Sequence, residues 1–264
     1  MYKAALIQFA INDAHSKAQR IAHAAELIDQ AAGANFIMLP EVWNIGWWNW
    51  DKYPTEAETL NGETVSMCAE KARKLNAYIH TGTIIEKRKD GSLYNTAVLL
   101  DPSGKIIATY SKIHTVAWES LGALEGKICK RGTELVSVKT ELGLIGLTIC
   151  YDLRFPEVYR KLACNLGVEV MTVSAAWNTV RVDDWRAMIH ARATENLSFV
   201  FACGCVGVNQ GKTYAGFSRI VDPHGTIIAS GNIYETIVEG KVDIDAVTRT
   251  RKQIPAFEDR FFEV

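Results

Sequence analysis

Apolar residues along this chain fall into two rhythms that take turns. Short unbroken runs of branched and aromatic residues, bounded by Gly, Pro, Asn or Asp, read as strands. They predict strands near 3–9, 36–39, 78–86, 94–100, 105–110, 134–138, 143–149, 168–173, 198–206, 217–221, 226–230 and 235–242. Between them lie segments whose apolar residues recur three and four apart. Ala18, Ile21, Ala25, Ile28 and Ala32 form one helical stripe, ended by Gly33. Val65, Cys68, Ala69, Ala72 and Leu75 form a second, and a third helix opens at Pro156. Trp185, Ile189, Ala193 and Leu197 mark a fourth, behind the acidic pair Asp183-Asp184. A helix with one apolar stripe has to cover a sheet, and a strand without clean alternation, such as 168–173, is buried on both faces. The class is therefore α/β. Two sheets covered on their outer sides by helices satisfy the pattern, and so does one doubly wound sheet. No linker, repeat or low-complexity stretch divides residues 1–264, so a single domain is expected.

Composition narrows the function classes. At 264 residues the chain is long for one α/β unit but within range. The formal net charge is −1, with no basic run and no acidic tail, which predicts no nucleic-acid and no membrane partner. No apolar stretch approaches the roughly 18 residues that span a bilayer. The N-terminal run 4–9 is too short for a signal peptide and reads as a first strand, so the cytoplasm is the expected location. Cysteines at 68, 129, 150, 164, 203 and 205 contain no CxxC pair, which points to neither a disulfide framework nor a zinc site. Cys203 and Cys205 fall inside a buried-strand pattern and read as structural. No metal-ligand spacing and no Gly-rich phosphate loop occurs, so no cofactor and no metal is expected.

Cys150 ends the apolar run 144–149 and is followed by Tyr151-Asp152-Leu153-Arg154-Phe155-Pro156-Glu157. Pro then Glu reads as a helix start, which puts Cys150 at a strand-to-helix elbow near backbone N–H groups that bind developing negative charge. Local sequence alone leaves Cys150 as either a nucleophile or an inert buried thiol. Glu41 follows the apolar run 36–39, and Lys112 follows 108–111. Both therefore sit just beyond strand ends, where open α/β architectures place their active sites.

Glu, Lys and Cys in that order, within LPEVW, YSKIH and ICYDLRFPE, resemble the nitrilase superfamily of carbon–nitrogen hydrolases. Ser174 to Trp177, Trp185, Ala191 to Asn196, Gly216 to Ser218 and Asp222 to Gly225 are similar to its later blocks, so the resemblance runs from about residue 3 to about 245. It implies a four-layer αββα sandwich, no cofactor, and hydrolysis of linear amides through a Cys thioester. Carried onto matching positions, it makes Cys150 the nucleophile and Glu41 the general base. Lys112 and the backbone N–H of Tyr151 become the oxyanion donors. Lys112 and the helix N-terminus are expected to lower the Cys150 pKa. A second glutamate is expected in the loop after the lysine. Glu125, seven residues before Gly132, fits that place, with Glu119 as its competitor. A homodimer or higher homo-oligomer burying part of the 155–195 region is also implied.

Four of the seven Trp crowd into residues 43–50. Trp43 is expected in a pocket wall together with Trp177, and Trp47, Trp48 and Trp50 either there or at a subunit interface. Within the superfamily, SAAWNTVRVDDW and ARATENLSFVFACGCVGVN are most similar to short bacterial ω-amidases acting on α-keto acid amides such as 2-oxoglutaramate. Such a substrate has a distal carboxylate that needs a cation, and Arg181 is the candidate. Arg154 is expected to brace the elbow against Asp152 or Glu195, and His114 to be a hydrogen-bonded loop residue. Deaminated-glutathione amidase, N-carbamoyl amidohydrolase and nitrilase are the neighbouring activities. A non-catalytic scaffold is the rival outside enzymes, opposed by the intact Glu41, Lys112 and Cys150.

Overall fold

Alternation along the first strand, Tyr2–Gln8, sets the layering. Ala4 and Leu6 enter one apolar core while Ala5 and Ile7 enter a second on the opposite side of the same sheet. A strand buried on both faces needs cover on both, and the rest of the chain supplies it. The protein is described here by a computed structural model covering residues 1–264.

In chain order the elements are β1 (Tyr2–Gln8), β2 (Ala10–Asn12), α1 (Lys17–Gln30), β3 (Phe36–Met38), α2 (Tyr53–Glu56), α3 (Glu63–Leu75), β4 (Tyr78–Lys87), β5 (Leu93–Leu100) and β6 (Ile106–Ser111). There follow α4 (Glu125–Ile128), β7 (Ser137–Thr140), β8 (Gly143–Ile149), α5 (Pro156–Cys164), β9 (Val170–Ala175), α6 (Val182–Asn196) and β10 (Phe199–Gly204). The chain closes with β11 (Val206–Asn209), β12 (Lys212–Thr213), β13 (Arg219–Val221), β14 (Ile227–Ser230), β15 (Thr236–Val242) and α7 (Asp245–Gln253). One six-stranded sheet runs β15-β1-β3-β4-β5-β6 and the other β14-β13-β10-β9-β8-β7. Each has a parallel centre, β1-β3-β4 and β8-β9-β10, flanked by antiparallel strands.

The sheets pack face to face with helices outside, the four-layer αββα sandwich. Leu6, Met38 and Leu99 of one sheet share a core with Leu147, Met171 and Phe201 of the other, and Phe36 meets Phe201 edge-on at 5.6 Å. Ala24 and Leu27 of α1 and Val65, Cys68 and Ala72 of α3 cover Ile7, Ile37 and Ile79. Val158, Leu162, Ile189 and Ala193 of α5 and α6 cover the second sheet. Each such large side chain, fully buried, contributes roughly 1.5–3 kcal/mol over its exposed state. No helix is long and apolar enough to cross a membrane.

Departures from the sequence reading have local causes. The first helix stops at Gln30 rather than at Gly33, which carries the following turn at φ +86°. The strand expected at 134–138 forms at Ser137–Thr140. The run 198–206 splits at Cys205, because β11 leaves the second sheet and pairs with β2 and β12 in a third, small sheet. α7 escaped notice because it buries only Val247 and Thr250. Pro156 does open α5, but a 3-10 turn, Cys150–Arg154, separates it from β8.

The parallel strand ends are shaped by close backbone approach. β4 bulges between His80 and Thr83, and Gly82 there has φ +73°. A Cβ on Gly82 would stand 2.0 Å from the Pro40 carbonyl oxygen, immediately before Glu41. Gly91 has a similar φ, +79°, with nothing within 4 Å of the same position. Gly82→Ala should therefore cost about 2–4 kcal/mol and Gly91→Ala about 1–2 kcal/mol, read as urea midpoints at constant m-value. Equal costs would mean that backbone angle alone matters and that the approach to Pro40 does not.

Candidate active site

Three strands carry three reactive side chains to one point between the sheets. β3 leads through Leu39 and Pro40 to Glu41, β6 leads to Lys112, and β8 leads to Cys150. Two of these turns are strained. Val42, next to Glu41, and Cys150 itself both have φ +44°. For non-glycine residues that region costs about 1–3 kcal/mol and persists only where surroundings enforce it. At Val42 the enforcers are its N–H donating to Thr83 Oγ1 at 3.0 Å and its carbonyl accepting from Gly46 N at 2.7 Å. At Cys150 the enforcer is buried Asp152. Its carboxylate accepts from Ile149 N at 3.0 Å, Tyr110 Oη at 2.7 Å, and the His114 backbone N–H and ring Nδ1 at 3.1 and 2.8 Å. Lys112 is held by its backbone. Its N–H donates to Asn95 O, and its carbonyl accepts from Gly132 N, at 2.9 Å each.

The side chains meet with no exposure to solvent. Lys112 Nζ donates to Glu41 Oε1 at 2.7 Å and to Glu125 Oε1 and Oε2 at 3.0 and 2.9 Å, and all three side chains are fully buried. Asn95 Nδ2 bridges the two carboxylates, donating to Glu41 Oε1 at 2.8 Å and Glu125 Oε1 at 2.7 Å. Val116 N closes on Glu125 Oε2 at 2.8 Å, and Ala176 N on Glu41 Oε2 at 2.9 Å. The Cys150 thiol is buried beside the Glu41 carboxylate, which pushes its pKa up, and beside the Ala176 N–H, which draws it down.

Two carboxylates around one ammonium leave the cluster short of positive charge, and burial sharpens the effect. Burial pushes the Glu41 carboxyl up, the Glu125 charge adds to this, and Lys112 opposes it. Burial alone would lower Lys112, yet Glu125 and then Glu41 outweigh it and hold the ammonium well above its ordinary range. The thiol shifts against expectation. Burial, and then Glu41, raise Cys150 well above an ordinary cysteine despite Lys112. The expected lowering by the Lys112 ammonium is outweighed by desolvation and by the neighbouring carboxylate. Resting Cys150 is therefore a neutral thiol beside a carboxylate whose raised pKa suits it to take the proton. A thiol, a base within reach and an adjacent ammonium are the groups acyl transfer needs.

Above Cys150 opens a cavity of about 360 Å³, near the lower end of small-molecule sites. Its wall is aromatic, with Trp47, Trp48, Trp118, Tyr151 and Trp177 among the lining residues. Trp47 meets Trp48 and Trp50 edge-on at 4.8 and 4.4 Å, so the tryptophan cluster braces itself. Arg154, Arg181 and Lys212 also line the cavity, and no Asp or Glu does.

Of the residues singled out in the sequence, Glu41, Lys112, Glu125 and Cys150 come together, while Tyr151, Trp177 and Arg181 line the cavity. Trp43 does not. It is fully buried, meets Phe9 at a tilt with ring centres 5.4 Å apart and donates to Thr81 O at 2.9 Å. The chain reverses at Val42 and sends Trp43 into the helix-side core. Glu119, the alternative to Glu125, is exposed and pairs with Lys127 at 2.7 Å. Arg154 braces neither Asp152 nor Glu195. It pairs with Asp184 at 2.7 Å beside the Trp177 ring, while Arg192 takes Glu195 at 2.9 Å. Asn95, the Ala176 N–H and Lys212 were not foreseen. Asn95 is a mid-strand residue with no motif around it, the second contact is backbone, and Lys212 arrives only through the third sheet.

A family model described as carbon–nitrogen hydrolase matches residues 3–252. The chain is 32% identical over 263 residues to a 2-oxoglutaramate amidase of Paenarthrobacter nicotinovorans, covering 97% of this chain and 88% of that one. It is 36% identical over 235 residues to a 2-oxoglutaramate amidase of Bacillus subtilis, covering 86% and 85%. Among solved structures, Nit3 of Saccharomyces cerevisiae, a member of branch 10 of the nitrilase superfamily, superposes with a TM-score of 0.89 at 26% identity, covering 99% and 97%.

Removing the ammonium should expose how the cluster is balanced. Lys112→Met leaves two buried carboxylates without a counter-ion and is expected to cost about 3–5 kcal/mol in urea unfolding at pH 7. A cost below about 1 kcal/mol would show that the carboxylates neutralise by taking up protons and do not need Lys112.

Proposed function

We propose that this chain, which belongs to the carbon–nitrogen hydrolase family, is an ω-amidase that hydrolyses the carboxamide of a short α-keto acid amide such as 2-oxoglutaramate. The observation that carries the reading is the buried Glu41–Lys112–Glu125 cluster meeting a thiol at the floor of a small aromatic cavity whose charged lining residues are all cationic.

The chemistry follows from the placement of a thiol, a carboxylate and an ammonium side by side. As a substrate carbonyl settles over Cys150, the thiol gives its proton to Glu41 and the sulfur bonds to the carbonyl carbon. Lys112 Nζ and the Tyr151 N–H receive the oxyanion. Collapse breaks the carbon–nitrogen bond as Glu41 hands its proton to the leaving nitrogen, so ammonia departs and a thioester remains. Glu41 then takes a proton from water, the hydroxide adds to the thioester, and the acid leaves with the thiol restored. Glu125 contacts neither sulfur nor substrate in this scheme. Its part is to hold Lys112, through two contacts of 2.9–3.0 Å, and to keep the Glu41 pKa raised. Arg181, half-buried with its guanidinium 5.5 Å from the Trp118 ring, is the proposed partner of the distal carboxylate.

The proposed assembly is a homodimer through the outer face of α5 and α6, in keeping with the prevalence of two-fold symmetry. Light scattering at micromolar concentration should return twice the chain mass, and a monomer would overturn that assembly.

Ammonia release from 2-oxoglutaramate, 2-oxosuccinamate, glutamine, propionamide, an N-carbamoyl amino acid and a simple nitrile tests the activity. The keto acid amides should be turned over selectively, with Cys150→Ala about 10⁴-fold slower or worse and Glu41→Gln down by about 10²–10⁴. Preference for another member of the panel keeps the thioester chemistry and discards the substrate.

A further inference from the structure

The cavity lining contains three cations, but they are not equally available. Arg154 is engaged by Asp184 at 2.7 Å. Neither Arg181 nor Lys212 has a carboxylate within 4.0 Å. Arg181 stands over Trp118 and Lys212 over Trp48, whose rings lie 5.5 and 5.6 Å from the respective charges. An aromatic face supports a cation without neutralising it, so both charges remain free to attract an anion entering between them.

The exposed Lys212 side chain springs from a backbone that is held in place. It belongs to the β11–β12 hairpin, turned by Gln210 and Gly211 at φ +48° and +69°, the left-handed pair a two-residue hairpin needs. The root of that hairpin is locked to the tryptophan loop. Fully buried Asn209 accepts from Trp48 N at 2.8 Å and Tyr214 Oη at 2.9 Å, and donates to Asp13 at 2.6 Å. Asp13 accepts from Gln210 N at 2.7 Å, and Gln210 Nε2 donates to Asn49 Oδ1 at 2.8 Å. The small third sheet thus fixes the backbone that carries Lys212 relative to Trp48.

We infer that Lys212 is a specificity-determining residue, the second arm of a clamp that with Arg181 grips the substrate's carboxylate while the amide lies over Cys150. This rests on the amidase reading above and narrows its substrates to short amides carrying an anionic group at the far end. The clamp contributes to binding and not to the chemical step. Its loss should therefore appear in KM for anionic amides alone, because a charge-assisted contact to carboxylate is roughly twice as strong as a neutral one.

Lys212→Met and Lys212→Arg, compared with the unaltered enzyme on 2-oxoglutaramate and on neutral propionamide, test the clamp. For Lys212→Met we expect KM for 2-oxoglutaramate to rise about 10–100-fold, with kcat within about twofold and kcat/KM for propionamide unchanged. Inhibition by the product 2-oxoglutarate should weaken in parallel, and Lys212→Arg should restore most of the loss. Equal effects on both substrates, or no effect on either, overturn the clamp while leaving the amidase reading intact. An unaltered enzyme that cleaves propionamide but not 2-oxoglutaramate keeps the thioester chemistry but overturns the ω-amidase reading, and the clamp with it.

Discussion

Everything around the site depends on one buried ammonium shared by two carboxylates. Taking three charges out of water is tolerable only when each is met by fixed partners, and here Lys112, Glu41, Glu125 and Asn95 supply them mutually at 2.7–3.0 Å. The four residues come from separate parts of the chain, so their convergence constrains the backbone far beyond the cluster. The left-handed turns at Val42 and Cys150 and the two glycines pressed against neighbouring carbonyls are local costs of that convergence. Gly132, whose Cβ would stand 2.0 Å from Ser111 O, serves Lys112 as Gly82 serves Glu41.

The same desolvation that makes the cluster costly sets its reactivity. Burial raises the thiol and the carboxyl alike, which holds the sulfur protonated and makes the carboxylate a stronger base than an exposed one. The resting state is then an uncharged sulfur, less open to adventitious oxidation than an exposed thiolate.

The layers were legible because burial on both faces leaves unbroken apolar runs, as at Val170–Ala175, and amphipathic helices announce the sheet they cover. Glu41, Lys112, Glu125 and Cys150 were legible because each follows a recognisable strand end or a motif with fixed spacing. What stayed hidden depends on where a side chain points after a turn. Trp43 looked like a wall residue by its place in the sequence, yet one left-handed residue before it reverses its direction. Arg154 looked like a partner for nearby carboxylates in sequence, but Asp152 was already saturated by Tyr110, His114 and Ile149. Lys212 could not be found at all without knowing that Cys205 ends one sheet and begins another.

Asp152 has a consequence for motion as well as for shape. Its carboxylate joins Tyr110 of the first sheet to Ile149 of the second and to the His114 loop between them, so it rivets the two halves of the sandwich next to the sulfur. Sliding of one sheet on the other would break several bonds to a single buried anion at once. Opening of the floor is therefore tied to separation of the two sheets, a more global event than motion of a surface loop.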